Sequence, residues 1–384
     1  MSKHQKHAKL VKPAFGEFHR NEVAILGTPC GNIKKLAFAI TEALHSTYKL
    51  SYVDADHKSA DEEDVQGKDV NSALAYGANM EFTDKITFSR FDHKPAFTSY
   101  QYRQHFNEQD LVLVNGNHFK AKKQLVVLDP KKFASLERKL DRLTDVGMLV
   151  KVQPEVEIPE FLKSHLENCD ELPVYEWDDT EGIVNWIKQT VIVPKLYGLV
   201  LAGGKSVRMQ QDKGLIDYHG KPQREYVFEQ MREVCEEVFI SCRDDQSTAL
   251  EAFPLITDKF LGLGPYGAIL SAFQQNPDAA WLVAACDMPN LSAKHLKHLV
   301  EHRNSSQLAT AYLNAETDFP DPLLTIWEPK SYMALFNFLA QGYSCPRKVL
   351  INSEIELIQP LDQSVLKNVN TPEELEEIRE DNKK

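Results

Sequence analysis

Two stretches of the chain share one pattern, in which a short apolar strand runs into a glycine-containing turn and then into a helical repeat. They are residues 22–44 (EVAILGTPCGNIKKLAFAITEAL) and residues 195–214 (KLYGLVLAGGKSVRMQQDKG). After each stretch, apolar runs of four to six residues alternate with amphipathic segments. That alternation is typical of parallel sheets whose strands are joined by crossover helices. The chain is therefore expected to fold as an α/β protein in two parts.

The apolar runs also give the expected elements of each part. In the first half, strands are predicted at residues 22–27, 50–54, 85–91, 111–115, 124–128 and 147–152, with a closing helix at 179–191. In the second half, strands are predicted at residues 196–201, 237–242, 281–286, 308–312 and 322–327. Helices are predicted there near residues 222–235, 266–275, 292–302, 330–341 and 372–380.

The boundary between the two parts is expected just before residue 194. Val193-Pro194-Lys195 follows the predicted closing helix and ends it, because proline disfavours the helical conformation in the residue before it. A length of 384 residues fits two or three domains of ordinary size. We therefore predict domains at residues 1–193 and 194–384.

Charge and composition narrow the functions that are open to the chain. With 44 Lys and Arg against 56 Asp and Glu, its net charge is −12, which argues against non-specific binding to nucleic acid or to anionic membranes. The apolar run at residues 279–286 is too short to cross a bilayer. Six cysteines without CxxC spacing indicate reduced thiols, and the basic N-terminus lacks the apolar core of a secretory signal. We expect a cytoplasmic protein.

Three histidines recur at helical spacing and invite interpretation as a metal site: His295, His298 and His302. No carboxylate or cysteine stands at ligand spacing beside them. A solvated helix face is the expected alternative.

The glycine turn of the first half lacks the chemistry of a phosphate-binding loop. When Gly27 is taken as the first glycine of G-x-x-x-x-G-K-[ST], the second glycine is Asn32. The lysine of the motif becomes Ile33 and its hydroxyl residue becomes Lys34. Without that cation and that hydroxyl, the loop should bind nucleoside triphosphate weakly. Gly31 and the helix N-terminus can still hold an anion.

Four further segments of the first half belong with this loop: VDADHKS (53–59), GKDVNSALAYGA (67–78), DLVLVNGNHFKAKKQLVVLD (110–129) and DTEGIVNWI (179–187). Over about residues 22–191 the chain resembles the molybdopterin-guanine dinucleotide biosynthesis adaptor family, a P-loop accessory domain. That family has glutamate where this chain has Asn115, although Asn115-Gly116 also fits a simple turn. The resemblance implies a P-loop-like three-layer α/β/α domain that has lost nucleotide hydrolysis. It implies a scaffolding or cofactor-handling role, with molybdoenzymes or other cofactor-biosynthesis proteins as candidate partners.

The strongest chemical signal in the chain is LAGGKSVRMQQDKG at residues 201–214. Gly203 and Gly204 follow a strand, and their missing side chains let backbone amides approach a phosphate or a base closely. Residues 203–224 carry five bases against two acids, a local charge of 5 − 2 = +3 in an acidic chain. The bases are Lys205, Arg208, Lys213, Lys221 and Arg224. A triphosphate is expected to bind here.

Further segments of the second half extend this signal: GKP (220–222), LITDKFLGLGPYGAI (255–269), AACDMPNL (284–291), DPLLTIWEP (321–329) and NVNTPEEL (368–375). Over about residues 195–380 the chain resembles the molybdenum cofactor guanylyltransferases. The resemblance implies the nucleotide-diphospho-sugar transferase fold, a Rossmann-like α/β/α domain. One position departs from the family, because Gln210 stands where it usually has glycine.

The resemblance also implies roles for particular residues. The guanine nucleotide would contact the backbone of one run: Leu201, Ala202, Gly203 and Gly204. Lys213 would contact phosphate with the assistance of Arg208, Asp258 would help to hold the nucleotide, and Asp287 would ligate Mg²⁺. Asp287 follows an apolar strand, at the edge where such sheets bind ligands, although a helix-capping role fits its position too. Asn368 and Asn370 are weaker candidates for the same edge, because a turn before a helix also explains them.

The implied reaction is transfer of GMP from GTP to molybdopterin with release of pyrophosphate. The attacking phosphate is already an anion, so catalysis consists of aligning two anions and neutralising charge, without a protein base. Mg²⁺ on Asp287 and the cations Lys213 and Arg208 would supply that neutralisation. Two alternatives stay open. One is another nucleotidyltransferase of this fold, acting as a molybdopterin cytidylyltransferase or on a sugar phosphate, and the other is a non-catalytic molybdopterin-binding scaffold.

Overall fold

The structure of the chain is a computed structural model, and its described residues are 16–55, 72–94, 96–203, 212–369 and 371–381. The chain divides into two compact units, Met1–Ile192 and Val193–Lys384. Each unit has its own sheet and its own core. Among the described residues, no helix has both the length and the apolar character that crossing a membrane requires.

The first unit is built on a six-stranded parallel sheet. Its strands are β1 (Glu22–Leu26), β2 (Leu50–Val53), β5 (Leu111–Asn115), β6 (Lys123–Leu128), β7 (Val146–Lys151) and β8 (Val174–Glu176). They lie in the order β2-β5-β1-β6-β7-β8, and every neighbouring pair is parallel. Strands β3 (Met80–Asp84) and β4 (Ser89–His93) form a separate antiparallel hairpin.

Helices cover both faces of this sheet. They are α1 (Cys30–Leu44), α2 (Ser99–Phe106), α3 (Phe133–Glu137), α4 (Glu160–His165) and α5 (Thr180–Ile187), and α5 continues as a π-helical turn over Lys188–Ile192. On one face Ile25 packs with Ile40 of α1 and Ile183 of α5. On the other face Val126 packs with Leu136 of α3 and Leu162 of α4. The unit is thus a three-layer α/β/α structure.

The second unit contains a seven-stranded mixed sheet. Its strands are β9 (Leu196–Leu201), β10 (Glu237–Cys242), β11 (Leu255–Thr257), β12 (Ala280–Ala285), β13 (Ala309–Asn314), β14 (Phe319–Trp327) and β15 (Glu356–Ile358). They lie in the order β11-β10-β9-β12-β14-β13-β15. The expectation of parallel strands joined by crossover helices is wrong for β14, which runs antiparallel to β12 and β13. Only residues 315–318 join β13 to β14, too few for the crossover that parallel neighbours require.

Helices also lie on both faces of the second sheet. They are α6 (Gln223–Met231), α7 (Pro265–Gln275), α8 (Ala293–Glu301), α9 (Ser331–Ala340), α10 (Pro346–Ile351) and α11 (Pro372–Asp381). Leu282 of β12 faces a cluster that includes Met231 and Leu296. Its neighbour Val283 faces the opposite cluster, with Phe273 and Leu335. Alternate residues of one buried strand therefore fill two cores, which explains why the strand is apolar throughout.

Most of the predicted strands of the two sheets match the structure closely. Strands β1, β5, β6, β9 and β12 begin and end within one residue of their predicted bounds. Three edge strands escaped prediction: β8, β11 and β15. Each is three residues long, too short for a recognisable alternation. The strand predicted at 85–91 is right only for residues 89–91, which belong to β4. Residues 85–88 form the turn of the β3–β4 hairpin, with Ile86 exposed at its tip.

The expected solvated histidine face is wrong for His295. Its side chain is buried, and Nε2 lies 3.0 Å from Oδ2 of Asp362. The ring of His298 stacks on Tyr312, with 5.8 Å between the centroids. The carboxylate partner stands 67 residues farther along the chain, so no local spacing indicates it.

A buried ion pair fixes the start of the second unit. Arg303 donates from Nε and Nη2 to the two carboxylate oxygens of Glu328 at 2.7 and 2.9 Å, and from Nη2 to the carbonyl of Pro194 at 3.0 Å. The side chain of Glu328 is 0% exposed and that of Arg303 is 10% exposed. Burial acts to lower the pKa of Arg303, but the charge and hydrogen bonds of Glu328 raise it overall.

We expect Glu328→Gln to lower the free energy of unfolding of the second unit by about 3 kcal/mol, because it leaves a buried guanidinium without its counter-charge. The matched control is Glu236→Gln, which removes an exposed pair with Lys195 at 2.9 Å and should leave stability nearly unchanged. Peptide-resolved hydrogen exchange in increasing urea measures the second unit separately from the first. Equal effects of the two substitutions would contradict the prediction.

Candidate active site

The candidate site lies at the carboxyl edge of three neighbouring parallel strands. Leu201, the last residue of β9, is in register with Ser241 of β10 and with Ala285 of β12. Residues that follow these strands therefore emerge side by side. The backbone keeps this register beyond the strand ends, since Ala202 N donates to the Ser241 carbonyl at 3.2 Å and Cys286 N to the Leu201 carbonyl at 3.4 Å.

A lysine and a carboxylate meet at this edge. Nζ of Lys213 donates to Oδ2 of Asp287 at 2.9 Å, and both side chains are 17% exposed. Lys213 begins a single 3₁₀ turn, Lys213–Leu215, which Asp212 caps by accepting from Gly214 N at 2.9 Å. The alternative role of Asp287 as a helix cap is wrong, because α8 begins only at Ala293, after its cap residue Ser292.

Two buried oxygen atoms beside this pair are suited to a hard cation. Oδ1 of Asp287 and Oδ1 of Asn368 are buried, and no described residue donates a hydrogen bond to either. Their backbones are adjacent, since Val369 N donates to the Asp287 carbonyl at 2.9 Å. A carboxylate and an amide oxygen are ligands that Mg²⁺ accepts, so these residues fit the ion. The described residues hold no group of three or more His, Cys, Asp or Glu side chains arranged for a metal.

A second carboxylate lies under the glycine turn. Oδ1 of Asp258 accepts from Ser241 Oγ at 2.9 Å. A Cβ atom at Gly203 would lie 3.2 Å from the other oxygen, Oδ2, so the absent side chain lets the turn approach the carboxylate. Burial raises the pKa of Asp258, although the Ser241 hydrogen bond and the charge of Arg243 act to lower it.

Arg243 is a site residue that the sequence did not single out. Its Nη1 donates to the carbonyl of Gly203 at 2.8 Å, so the guanidinium holds the glycine turn. Asp245 orients the guanidinium, accepting from Nε and Nη2 at 2.9 and 3.1 Å. These hydrogen bonds to Asp245 are the largest of the causes that raise the pKa of Arg243. The available signal was a basic residue directly after the strand that neighbours β9.

The structure brings some of the predicted site residues together and leaves others undescribed. Leu201, Ala202, Gly203 and Asp258 lie at the glycine turn, and Lys213 and Asp287 form the ion pair. The residues outside the described part of the chain are Gly204, Lys205, Arg208, Gln210 and Asn370. Two other basic residues of the positively charged segment 203–224 make ion pairs. Lys221 pairs with Glu229 at 2.7 Å, and Arg224 pairs with Asp212 at 3.6 Å.

We expect Asp258→Asn to raise the stability of the second unit at pH 7. The folded state raises the pKa of Asp258 above 3.8, so the ionised carboxylate disfavours folding at higher pH, and the neutral amide removes that cost. The gain should disappear below pH 3.8, where the carboxyl group is protonated in both states. Urea unfolding of both proteins at several pH values measures it. Asp245→Asn, at a carboxylate 69% exposed, is the control and should bring no gain. A loss of stability at pH 7 in Asp258→Asn would contradict the prediction.

Comparisons with known proteins agree with the geometry of the second unit. Residues 198–355 match the family model of the MobA-like NTP transferase domain. A molybdenum cofactor biosynthesis bifunctional protein from Synechocystis sp. is 36% identical over 193 residues. That match covers 50% of this chain and 56% of the relative, so the chain spans little more than half of that protein's length.

Another relative is matched over nearly its whole length. A molybdenum cofactor guanylyltransferase from Pseudomonas fluorescens is 30% identical over 179 residues, which cover 46% of this chain and 89% of the relative. The crystal structure of molybdopterin-guanine dinucleotide biosynthesis protein A from Archaeoglobus fulgidus is 25% identical and covers 49% of this chain and 98% of its own, with a TM-score of 0.42. The family model and the Pseudomonas fluorescens relative show that the second half of the chain is a MobA-like nucleotidyltransferase domain and that the chain belongs to the molybdenum cofactor guanylyltransferase family.

Proposed function

We propose that the second unit transfers GMP from GTP to molybdopterin, releases pyrophosphate and so forms the molybdopterin guanine dinucleotide cofactor. The observation that carries the proposal is the Lys213–Asp287 pair at the carboxyl edge of β12, with Oδ1 of Asp287 buried and without a described donor. Phosphoryl transfer requires positive charge near the reacting phosphates, which a cationic side chain and a carboxylate-bound metal ion can supply. The name of the relatives, molybdenum cofactor guanylyltransferase, supports GTP and molybdopterin as the substrates.

The roles of the residues follow from the charges of the reactants. The molybdopterin phosphate and the α-phosphate of GTP repel each other, so the site must align them and neutralise their charge. Lys213 has three N–H donors and can hold Asp287 and a phosphate oxygen together. Arg208 would add a second cation. The glycine turn at Leu201, Ala202, Gly203 and Gly204 would present backbone donors and acceptors to the nucleotide, and Asp258 would hold it from below.

Asp287, with Asn368 beside it, would hold Mg²⁺ in this proposal. When bound, the ion neutralises charge on the α-phosphate and on the pyrophosphate that leaves. The protein supplies few ligands, which is usual for Mg²⁺ sites completed by substrate phosphates and water. No protein group has to accept a proton, because the nucleophile is already an anion.

For the first unit we propose an adaptor-like accessory domain of P-loop type that does not hydrolyse nucleotide. Its loop after β1 is closed by its own side chains, which supports this proposal. Thr28 is fully buried, donates from Oγ1 to Asp129 at 2.8 Å and accepts from Asn32 at 3.1 Å. We further propose that the protein works in the cytoplasm and that this unit contacts molybdoenzymes or other cofactor-biosynthesis proteins.

We expect Lys213→Ala to slow pyrophosphate release from GTP and molybdopterin by about 10²- to 10³-fold. The substitution removes a positive charge that would stabilise the negative charge of the transition state. Asp287→Asn should cause a similar loss, because it removes the carboxylate that would hold Mg²⁺. The matched control is Lys297→Ala, which breaks only the surface pair with Glu233 at 2.7 Å and should stay within about twofold of the original rate. Unchanged turnover in Lys213→Ala would exclude the proposed role of Lys213. Absence of turnover in the unmodified protein would exclude the proposed reaction and favour the scaffold alternative.

The choice of base is tested by binding. We expect GTP with Mg²⁺ to bind more tightly than CTP with Mg²⁺, because the relatives that this domain matches are named guanylyltransferases. Isothermal titration of both nucleotides into the full chain measures the preference, and Asp258→Asn should weaken the tighter of the two. Preference for CTP would assign the protein to cytidylyl transfer instead.

A further inference from the structure

A thiol in the first unit lies against an imidazole. Cys30 is the first residue of α1 and is half-buried, and its Sγ lies 3.4 Å from Nε2 of His118. The two residues are 88 positions apart, and the return from β5 to β6 brings His118 over the start of the helix. Asn117 Nδ2 approaches the same sulfur at 3.6 Å. A cysteine with a proton acceptor at this distance has the arrangement of an activated nucleophile.

A third group is positioned beside the imidazole. Oδ1 of Asp54 lies 4.0 Å from Nε2 of His118. The carboxylate is held from two sides, since Oδ1 accepts from Asn115 Nδ2 at 2.7 Å and Oδ2 accepts from Tyr52 Oη at 2.7 Å. A negative charge fixed at this place stabilises the imidazole after it has taken a proton.

The remaining surroundings of the sulfur are polar and partly positive. The side chain of Lys139 is held on Asn117 by a hydrogen bond from Nζ to Oδ1 at 3.0 Å, and its ammonium lies close enough for charge on Cys30 to influence it. The titratable groups around Cys30 and His118 are therefore Asp54, which lies beside His118, and Tyr52 and Lys139, whose pKa values charge on Cys30 acts to raise. Partly exposed thiols in such polar, cationic surroundings are the reactive ones in proteins.

We propose that Cys30 and His118 form a nucleophilic thiol site that reacts with disulfides of small thiols. The Sγ–H proton passes to the imidazole, and the thiolate attacks one sulfur of the disulfide. A new S–S bond to Cys30 forms as the original S–S bond breaks. The second sulfur leaves as a thiolate and takes the proton back from the imidazolium. Cys30 is thereby oxidised to a mixed disulfide, and one small thiol is released.

The other cysteines provide internal comparisons. Burial raises the pKa of Cys235 and of Cys286 to about 12, so these thiols stay protonated. Cys345 is exposed and precedes the short helix α10, and no described imidazole contacts it. It is therefore more accessible to reagent than Cys30 but has no neighbouring proton acceptor among the described residues.

The test is the rate at which each cysteine of the full chain forms a mixed disulfide with oxidised glutathione, followed by peptide mass spectrometry. Hydroxyethyl disulfide, which is uncharged, serves as a second probe that excludes attraction of charged glutathione. We expect Cys30 to react at least about tenfold faster than Cys345 with both probes, and concentrated urea to abolish the difference. A Cys30 rate equal to or below that of Cys345 would overturn the proposal.

Two variants distinguish activation of Cys30 by proton transfer to His118 from simple exposure of the thiol. His118→Gln should slow Cys30 by about tenfold or more and leave Cys345 unchanged. Asp54→Asn keeps the imidazole and should slow Cys30 by a smaller factor. Circular dichroism and peptide-resolved hydrogen exchange of the first unit show that each variant is folded. A Cys30 rate unaffected by His118→Gln in folded protein would refute His118 as the proton acceptor and with it the proposed site.

Discussion

Parallel pairing of three apolar strands determines where the functional side chains of the second unit lie. Strands β10, β9 and β12 run in the same direction and in register, so their carboxyl ends meet at one edge. Arg243, the glycine turn and Asp287 each follow one of these strands. None of them would meet the others if one central strand were reversed. The antiparallel strand β14 is tolerated because it pairs on the far side of β12.

Ion pairing then decides how these side chains are held. The Lys213–Asp287 pair is mostly buried, so each charge is oriented by the other at little cost from solvent screening. Arg243 is held by Asp245 and in turn holds the Gly203 carbonyl. Charged groups of the site are thereby positioned before any substrate arrives. Preorganisation of this kind is what electrostatic catalysis of phosphoryl transfer depends on.

The glycine turn that follows a central strand has different surroundings in the two units. Both place a glycine turn after a central parallel strand and before a helix or turn at the sheet edge. In the second unit, Gly203 leaves room beside the carboxylate of Asp258. In the first unit, Thr28, Asn32 and Asp129 bond to one another and close the loop. Space and charge at the turn, rather than the turn itself, separate a ligand site from a structural one.

The sequence alone determined the α/β class, the central strands and the identity of the glycine turn. These are local properties, because the periodicity of apolar residues and the conformational freedom of glycine act within a few positions. The short edge strands could not be predicted, since three residues carry too little pattern. The antiparallel direction of β14 could not be predicted either, because the apolar pattern of a strand does not show its direction in the sheet. Only the tertiary structure placed Lys213 on Asp287, Arg243 on Gly203 and His118 on Cys30. Such contacts join residues 40 to 88 positions apart, and they depend on strand order and register, which no local pattern encodes.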